Sequence, residues 1–239
     1  MSNLVIERHG PIAELWINRA EVLNALSGAV QEEIISTLAD FEDDPRVEVL
    51  IVAGRGRAFT AGSDRTEIAA FSESTQQRLA SFARGERLVR SFLDSRLTVV
   101  LAAHGYCVGG GVSMALASDI CVAADDTQFF IPELALGMPY LWQSTPLLLA
   151  SIGASRAKAL IATGDRFDAA QAQMMGIVHR TFAASTLHDE ARRLAARLVE
   201  TPRHAREAQK QLSTRALDRL LAQDESLFVR TAVGEPLAR

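Results

Sequence analysis

The chain has 239 residues, 48% of them apolar, enough for one large α/β domain with a substantial core. Its formal net charge of −4, from 25 basic and 29 acidic residues spread along the sequence, argues against nucleic acid as the main partner. Two cysteines without a CxxC pair, no basic-then-apolar leader in residues 1–10 and no apolar run of roughly 20 residues predict a reduced, cytoplasmic protein that does not span a membrane.

Residues 4–18 predict two short strands around the turn His9-Gly10-Pro11, with alternation at Leu4/Ile6 and Ala13/Leu15/Ile17. A helix follows, with Ser27 as N-cap and Val30, Ile34, Leu38 and Phe41 on one face, stopping at Asp44-Pro45. The apolar runs 47–54 and 97–105, both ending in glycine, suit strands buried on both faces of a parallel sheet, and 119–125 adds a third. A loop (55–65) and a helical stretch through Ser91 separate the first two, an alternation that indicates an α/β fold. From about residue 144 the chain predicts four or five helices and one strand-like piece at Gly176–Phe182, giving a sheet-based core followed by a helical C-terminal region.

Two strand-to-helix junctions carry glycines that let backbone approach a ligand: Ala58–Asp64 and His104–Gly111. The second runs straight into an apolar helix whose first N–H groups are unpaired and lie at its positive dipole end. Each junction alone also fits an ordinary turn. Neither has the Lys-Ser/Thr of a P-loop or the spaced glycines of a dinucleotide fingerprint. The five histidines (His9, His104, His179, His188, His204) show no metal-ligand spacing.

Six landmarks in order resemble the crotonase (enoyl-CoA hydratase/isomerase) superfamily: Asn18-Arg19 with Leu23-Asn24-Ala25-Leu26, AFTAGSD (58–64), HGYCVGGG (104–111), Pro132-Glu133, Thr163-Gly164-Asp165 and Gly176-Ile177-Val178. The resemblance covers about residues 5–182. It implies a β/α spiral core over residues 1–183 that binds acyl-CoA, followed by a helical region over 184–239 that makes oligomer contacts in a homotrimer or dimer of trimers. The substrate would be an acyl-CoA thioester, with coenzyme A entering as part of it and no separate cofactor. The thioester oxygen would lie between the backbone N–H groups of Ser63 and Gly110. Such fixed donors stabilise the charge of an enolate by on the order of 3 kcal/mol each. CoA contacts would come from Ala25, Leu26, Ala61, Asp64 and Arg65, with Thr60 and Asp64 also shaping the loop.

A hydratase of this family holds a water between two glutamates, whose positions fall here on Ser113 and Glu133, so one acid is missing. Burial in the apolar run Phe129–Leu136 predicts a raised pKa for Glu133, suited to proton transfer. A lone carboxyl can move a proton between C2 and C4 of an enoyl-CoA, so isomerisation is the leading expectation and hydration the alternative. A non-catalytic acyl-CoA-binding protein and a Clp-like serine hydrolase using Ser113 are further alternatives. The hydrolase needs a base in reach, and the region Thr127–Glu133 holds no histidine. Tyr140 and Trp142 stand where the family has small residues and are expected either to reshape or shorten the acyl cavity or, equally, to serve core or interface packing. Ser144 or Thr145 is expected to cap the next helix, with Pro146 in its first turn. The C-terminal stretch Leu227–Arg239 departs from the family's usual basic finish.

Overall fold

Gly10, at φ +62°, turns the chain between β1 (Leu4–His9) and β2 (Ile12–Ile17), which pair antiparallel from Leu4 opposite Ile17 to His9 opposite Ile12. The computed structural model describes residues 2–70 and 74–221. Helix α1 (Gly28–Glu42) begins at Ser27, whose side chain accepts from Val30 N, and buries Val30, Ile34, Leu38 and Phe41 as their spacing predicts. It ends at Glu42, just ahead of the Asp44-Pro45 stop.

The chain then adds β3 (Val49–Gly54), α2 (Arg65–Ala70), α3 (Thr75–Asp94), β4 (Thr98–Ala103), β5 (Tyr106–Val108) and α4 (Gly110–Ala117). After these come β6 (Ile120–Ala124), β7 (Gln128–Phe130), α5 (Ser144–Ile152), α6 (Ala154–Thr163), β8 (Phe167–Asp168) and α7 (Ala169–Met175). Last are β9 (Arg180–Phe182), α8 (Leu187–Val199) and α9 (Arg203–Leu221).

Six strands form one sheet in the order β1-β2-β3-β4-β6-β9, parallel from β2 onward. Successive side chains point to opposite faces. On one face Leu15, Leu50, Val52, Leu101 and Ala123 join the main core with α1, α3 and α4. On the other, Trp16, Val49, Ile51, Val100 and Val122 are covered by Leu187, Ala191 and Ala195 of α8. The helical C-terminal region therefore closes the second face of the sheet. Helix α9 is held by Lys210, whose Nζ donates to Leu97 O and Asp119 Oδ2, both at 2.7 Å.

A second sheet, β5-β7-β8, was not foreseen from the sequence. Its strands are three, three and two residues long, too short to show a period. Its strand β5 lies within the second glycine junction. The strand expected over Gly176–Phe182 shrinks to β9, because Gly176 (φ +92°) caps α7 and Ile177 and Val178 are buried beyond it.

Candidate active site

The site is built where three loops are bonded to each other backbone to backbone. Asn24, at φ +56°, donates through Nδ2 to Arg55 O (2.8 Å) and Ala58 O (2.7 Å), while its Oδ1 accepts from Arg19 N (2.8 Å). Thr60 Oγ1 donates to Asn24 O at 2.6 Å and accepts from Gly62 N at 3.1 Å. These bonds lock the 18–26 and 58–64 landmarks together. The second junction joins through Thr60 N to Tyr106 O (3.0 Å) and Val108 N to Thr60 O (3.2 Å). Gly62 (φ +88°) permits this approach, since a Cβ there would lie 3.0 Å from Val108 O.

This bonding brings Ser63 and Gly110 to one small cavity of about 30 Å³, together with Glu133, Ser113, Tyr140 and Trp142. Among the described residues, neither the Ser63 N–H nor the Gly110 N–H is bonded to an acceptor. Gly110 opens α4, where such N–H groups have no intrahelical partner.

Glu133 follows Pro132 into a single 3-10 turn (Glu133–Leu136). Its carboxyl lies against Gly109, where a Cβ would fall 2.3 Å from Oε1. Oε2 is buried and has no hydrogen-bond partner among the described residues. Burial pushes the carboxyl from its ordinary 4.5 up to about 7, opposed in part by a hydrogen bond from its own backbone. The sequence expectation of a desolvated, basic carboxylate agrees with this geometry.

Ser113 and Tyr140, which line the same cavity, belong to a chain of hydroxyls. Ser144 Oγ donates to Ser113 Oγ at 2.6 Å, and Ser113 Oγ lies 3.1 Å from the Tyr140 hydroxyl and 3.3 Å from Gly109 O. All three residues are buried. Burial, with the Glu133 charge nearby, holds the Tyr140 hydroxyl well above its usual range and therefore protonated. The expectation that Ser144 or Thr145 caps α5 fails. Gln143 (φ +60°) occupies the N-cap without a side-chain bond, Ser144 turns inward to Ser113, and Thr145 Oγ1 donates to Tyr140 O at 2.6 Å.

Ser113 has no base. Its partners are hydroxyls and a carbonyl, and no histidine lines the cavity among the described residues. His104 instead bonds Gly56 O and packs edge-on to His188 at 5.9 Å, at a separate cavity. A serine-hydrolase arrangement is absent from this part of the chain.

A cleft of about 730 Å³ opens beside the small cavity and shares Ser63, Glu133 and Met138 with it. Ala25, Ala61, Asp64 and Arg65 line it. Leu26 does not: its side chain is fully buried, packed near Gly110, and its N–H donates to Gly62 O at 2.8 Å. Asp64 accepts from Thr66 Oγ1 (2.7 Å) and pairs with Arg19 (3.3 Å), which together hold its carboxyl below the usual range. Sequence reasoning missed Arg57 and Arg166, which also line the cleft, the latter stacked over Phe130 at 4.7 Å. The only signals were Arg57's place between two landmarks and Arg166's place just after Asp165.

One acidic grouping was not legible either. Glu7, His9 and Glu14 bring potential ligand atoms within 4.8 Å of one another across the β1–β2 pair. Arginines already meet the two carboxylates: Arg192 grips Glu14 at 2.6 and 3.0 Å, and Arg55 pairs with Glu7.

A roomy cleft with basic side chains thus leads to two unengaged N–H groups and one buried carboxyl. The sequence profile described as enoyl-CoA hydratase/isomerase matches residues 7–234, and the chain belongs to that family. It is 30% identical to the 2,3-dehydroadipyl-CoA hydratase of Escherichia coli, over 98% of this chain and 92% of that one. It is 31% identical to the crotonyl-CoA hydratase of Syntrophomonas wolfei, over 82% and 75%. Among solved structures, the enoyl-CoA hydratase subunit I of Geobacillus kaustophilus superposes with a TM-score of 0.85 at 32% identity, over 91% of this chain and 83% of that one. An enoyl-CoA hydratase/isomerase of Mycobacterium paratuberculosis, at 24% identity and a TM-score of 0.90, shares the fold. The crotonase-type core and the helical C-terminal region expected from the sequence are thereby established. No described helix is long and apolar enough to cross a membrane, and the C-terminal stretch Leu227–Arg239 lies outside the described residues.

Proposed function

We infer that the protein moves the double bond of an enoyl-CoA, with Glu133 as the single proton shuttle. The observation that carries this reading is the composition of the small cavity. Glu133 is its one carboxyl among the described residues, and hydroxyls of Ser113, Tyr140 and Ser144 gather at the position of a second acid. The Ser63 and Gly110 N–H groups are the oxyanion donors of this reading. They converge on the thioester oxygen while Glu133 takes a proton from C2 of a 3-enoyl-CoA. The electron pair moves into an enolate, and return of the proton to C4 gives the 2-enoyl thioester. A carboxyl near pKa 7 is well matched to both halves of that transfer near neutral pH.

Hydration of a 2-enoyl-CoA is the second reading. It is favoured by the hydratase names of the relatives and by buried hydroxyls able to hold a water beside Glu133. A serine or a neutral tyrosine cannot replace a carboxylate as base, which places this reading second. The Ala25–Arg65 side of the cleft, with Arg57 and Arg166, is the CoA-binding face in either case.

Glu133→Gln tests the assignment. Its cavity shape is nearly unchanged, so affinity for free CoA should stay within about twofold while isomerisation falls by at least ~10³-fold. Retained turnover in a variant that still binds CoA would remove Glu133 as the base.

A further inference from the structure

We propose that Trp142 is the specificity-determining stop of the acyl site, restricting the substrate to a short acyl chain of about four carbons or fewer; this rests on the reading of the cleft as an acyl-CoA site. The cavity at Ser63, Gly110 and Glu133 is about 30 Å³, while the cleft leading to it is about 730 Å³. A single water needs roughly 10–15 Å³ of such free space, so the inner cavity holds about two or three water-sized groups. That is room for the first carbons beyond a thioester and no more.

The indole of Trp142 is one wall of the inner cavity. It is 8% exposed and wedged between Gly85 of α3 and Gly110 of α4. A Cβ at Gly85 would fall 1.8 Å from the ring, and one at Gly110 2.4 Å from it. Both glycines are the sockets that leave space for this ring. The loop bearing it is held in an unfavourable conformation: Trp142 and Gln143 have φ of +62° and +60°, a region L side chains rarely adopt.

Both ends of the turn are pinned. Gln143 Nε2 donates to Glu86 Oε1 at 2.8 Å, and Thr145 Oγ1 donates to Tyr140 O. The ring is thus a fixed wall rather than a lid, and a longer acyl chain would have to displace it from both sockets.

The variant of choice is Trp142→Gly, because glycine suits φ +62° and removes the ring without adding backbone strain. Dissociation constants would be measured for free CoA and for butyryl-, octanoyl- and dodecanoyl-CoA, which needs no turnover. In the parent protein octanoyl-CoA should bind at least ~30-fold more weakly than butyryl-CoA, and in Trp142→Gly the two should come within about threefold. Trp142→Phe, which keeps an aromatic wall, should lie between them, and unchanged affinity for free CoA would show that the variants are folded. Equal binding of all lengths by the parent protein would overturn the stop and leave the acyl-CoA reading standing. Failure of every acyl-CoA to bind would overturn both.

Discussion

The outer cleft and the inner cavity are made of different material. The cleft side is built from backbone: Asn24 and Thr60 spend their side chains on main-chain atoms, and the loops meet through carbonyls and N–H groups. The inner cavity is lined by side chains: Glu133, the Ser113 and Tyr140 hydroxyls, the first of them bonded by Ser144, and the Trp142 ring. Backbone scaffolds fix where a thioester can sit, whatever its acyl group. In the proposed reading, the side chains of the inner cavity set which acyl group fits and what happens to it.

Three perturbations break or sharpen that contrast. The largest effect is expected at Glu133. Its folded carboxyl keeps a proton up to about pH 7, while the ordinary value is 4.5, so the folded state binds more protons between these values and stability falls as pH rises through them. The full difference is about 3 kcal/mol. Glu133→Gln should therefore raise thermal stability above pH 7 and match the parent near pH 4.5. The parent's kcat/KM for isomerisation should in turn rise with pH through an apparent pKa near 7. A variant destabilised at pH 8 would contradict the desolvation account.

Gly109→Ala comes second, because it strikes the joint between backbone and side chain. Its φ is +51° and the new methyl would meet Glu133 Oε1. With ψ at −109° this backbone lies outside even the left-handed helical region, so the methyl should cost about 1–3 kcal/mol in denaturant unfolding. Displacement of the carboxyl should lower turnover up to ~100-fold with little change in CoA affinity. Loss of CoA affinity without loss of kcat would show that the glycine serves the cleft instead.

The smallest effect is expected in the cleft. Arg57→Ala and Arg166→Ala should each raise the Kd for CoA only a few-fold at low salt, and the difference should shrink by 0.5 M salt, as screening of exposed charges requires. Salt-independent losses would point to packing of the guanidinium, such as Arg166 on Phe130, rather than charge.

The two materials also explain what the sequence made legible. Helix α1 with its Ser27 cap, the apolar strands β3, β4 and β6, and the glycine junctions all carry local signals, and each formed as predicted. The raised pKa of Glu133 was legible because an apolar run surrounds it. The β5-β7-β8 sheet was hidden because its pairing is long-range and its strands are too short to alternate. Ser144 was misread as a cap because nothing local says that Ser113, 31 residues earlier, would claim its hydroxyl. Leu26 sits inside a landmark tied to CoA contacts, yet its own side chain belongs to the core. The fit of Trp142 into Gly85 and Gly110 joins three distant segments and could be seen only once they were folded together.

The most direct test of the one-carboxyl account is a side-by-side assay of the purified protein on 3-butenoyl-CoA and 2-butenoyl-CoA, both short enough for the inner cavity. The account predicts conversion of the first to the 2-enoyl thioester, with hydration of the second slower by at least ~100-fold. Hydration as fast as isomerisation would contradict it, and would make the Ser113–Tyr140–Ser144 hydroxyls the holders of a catalytic water.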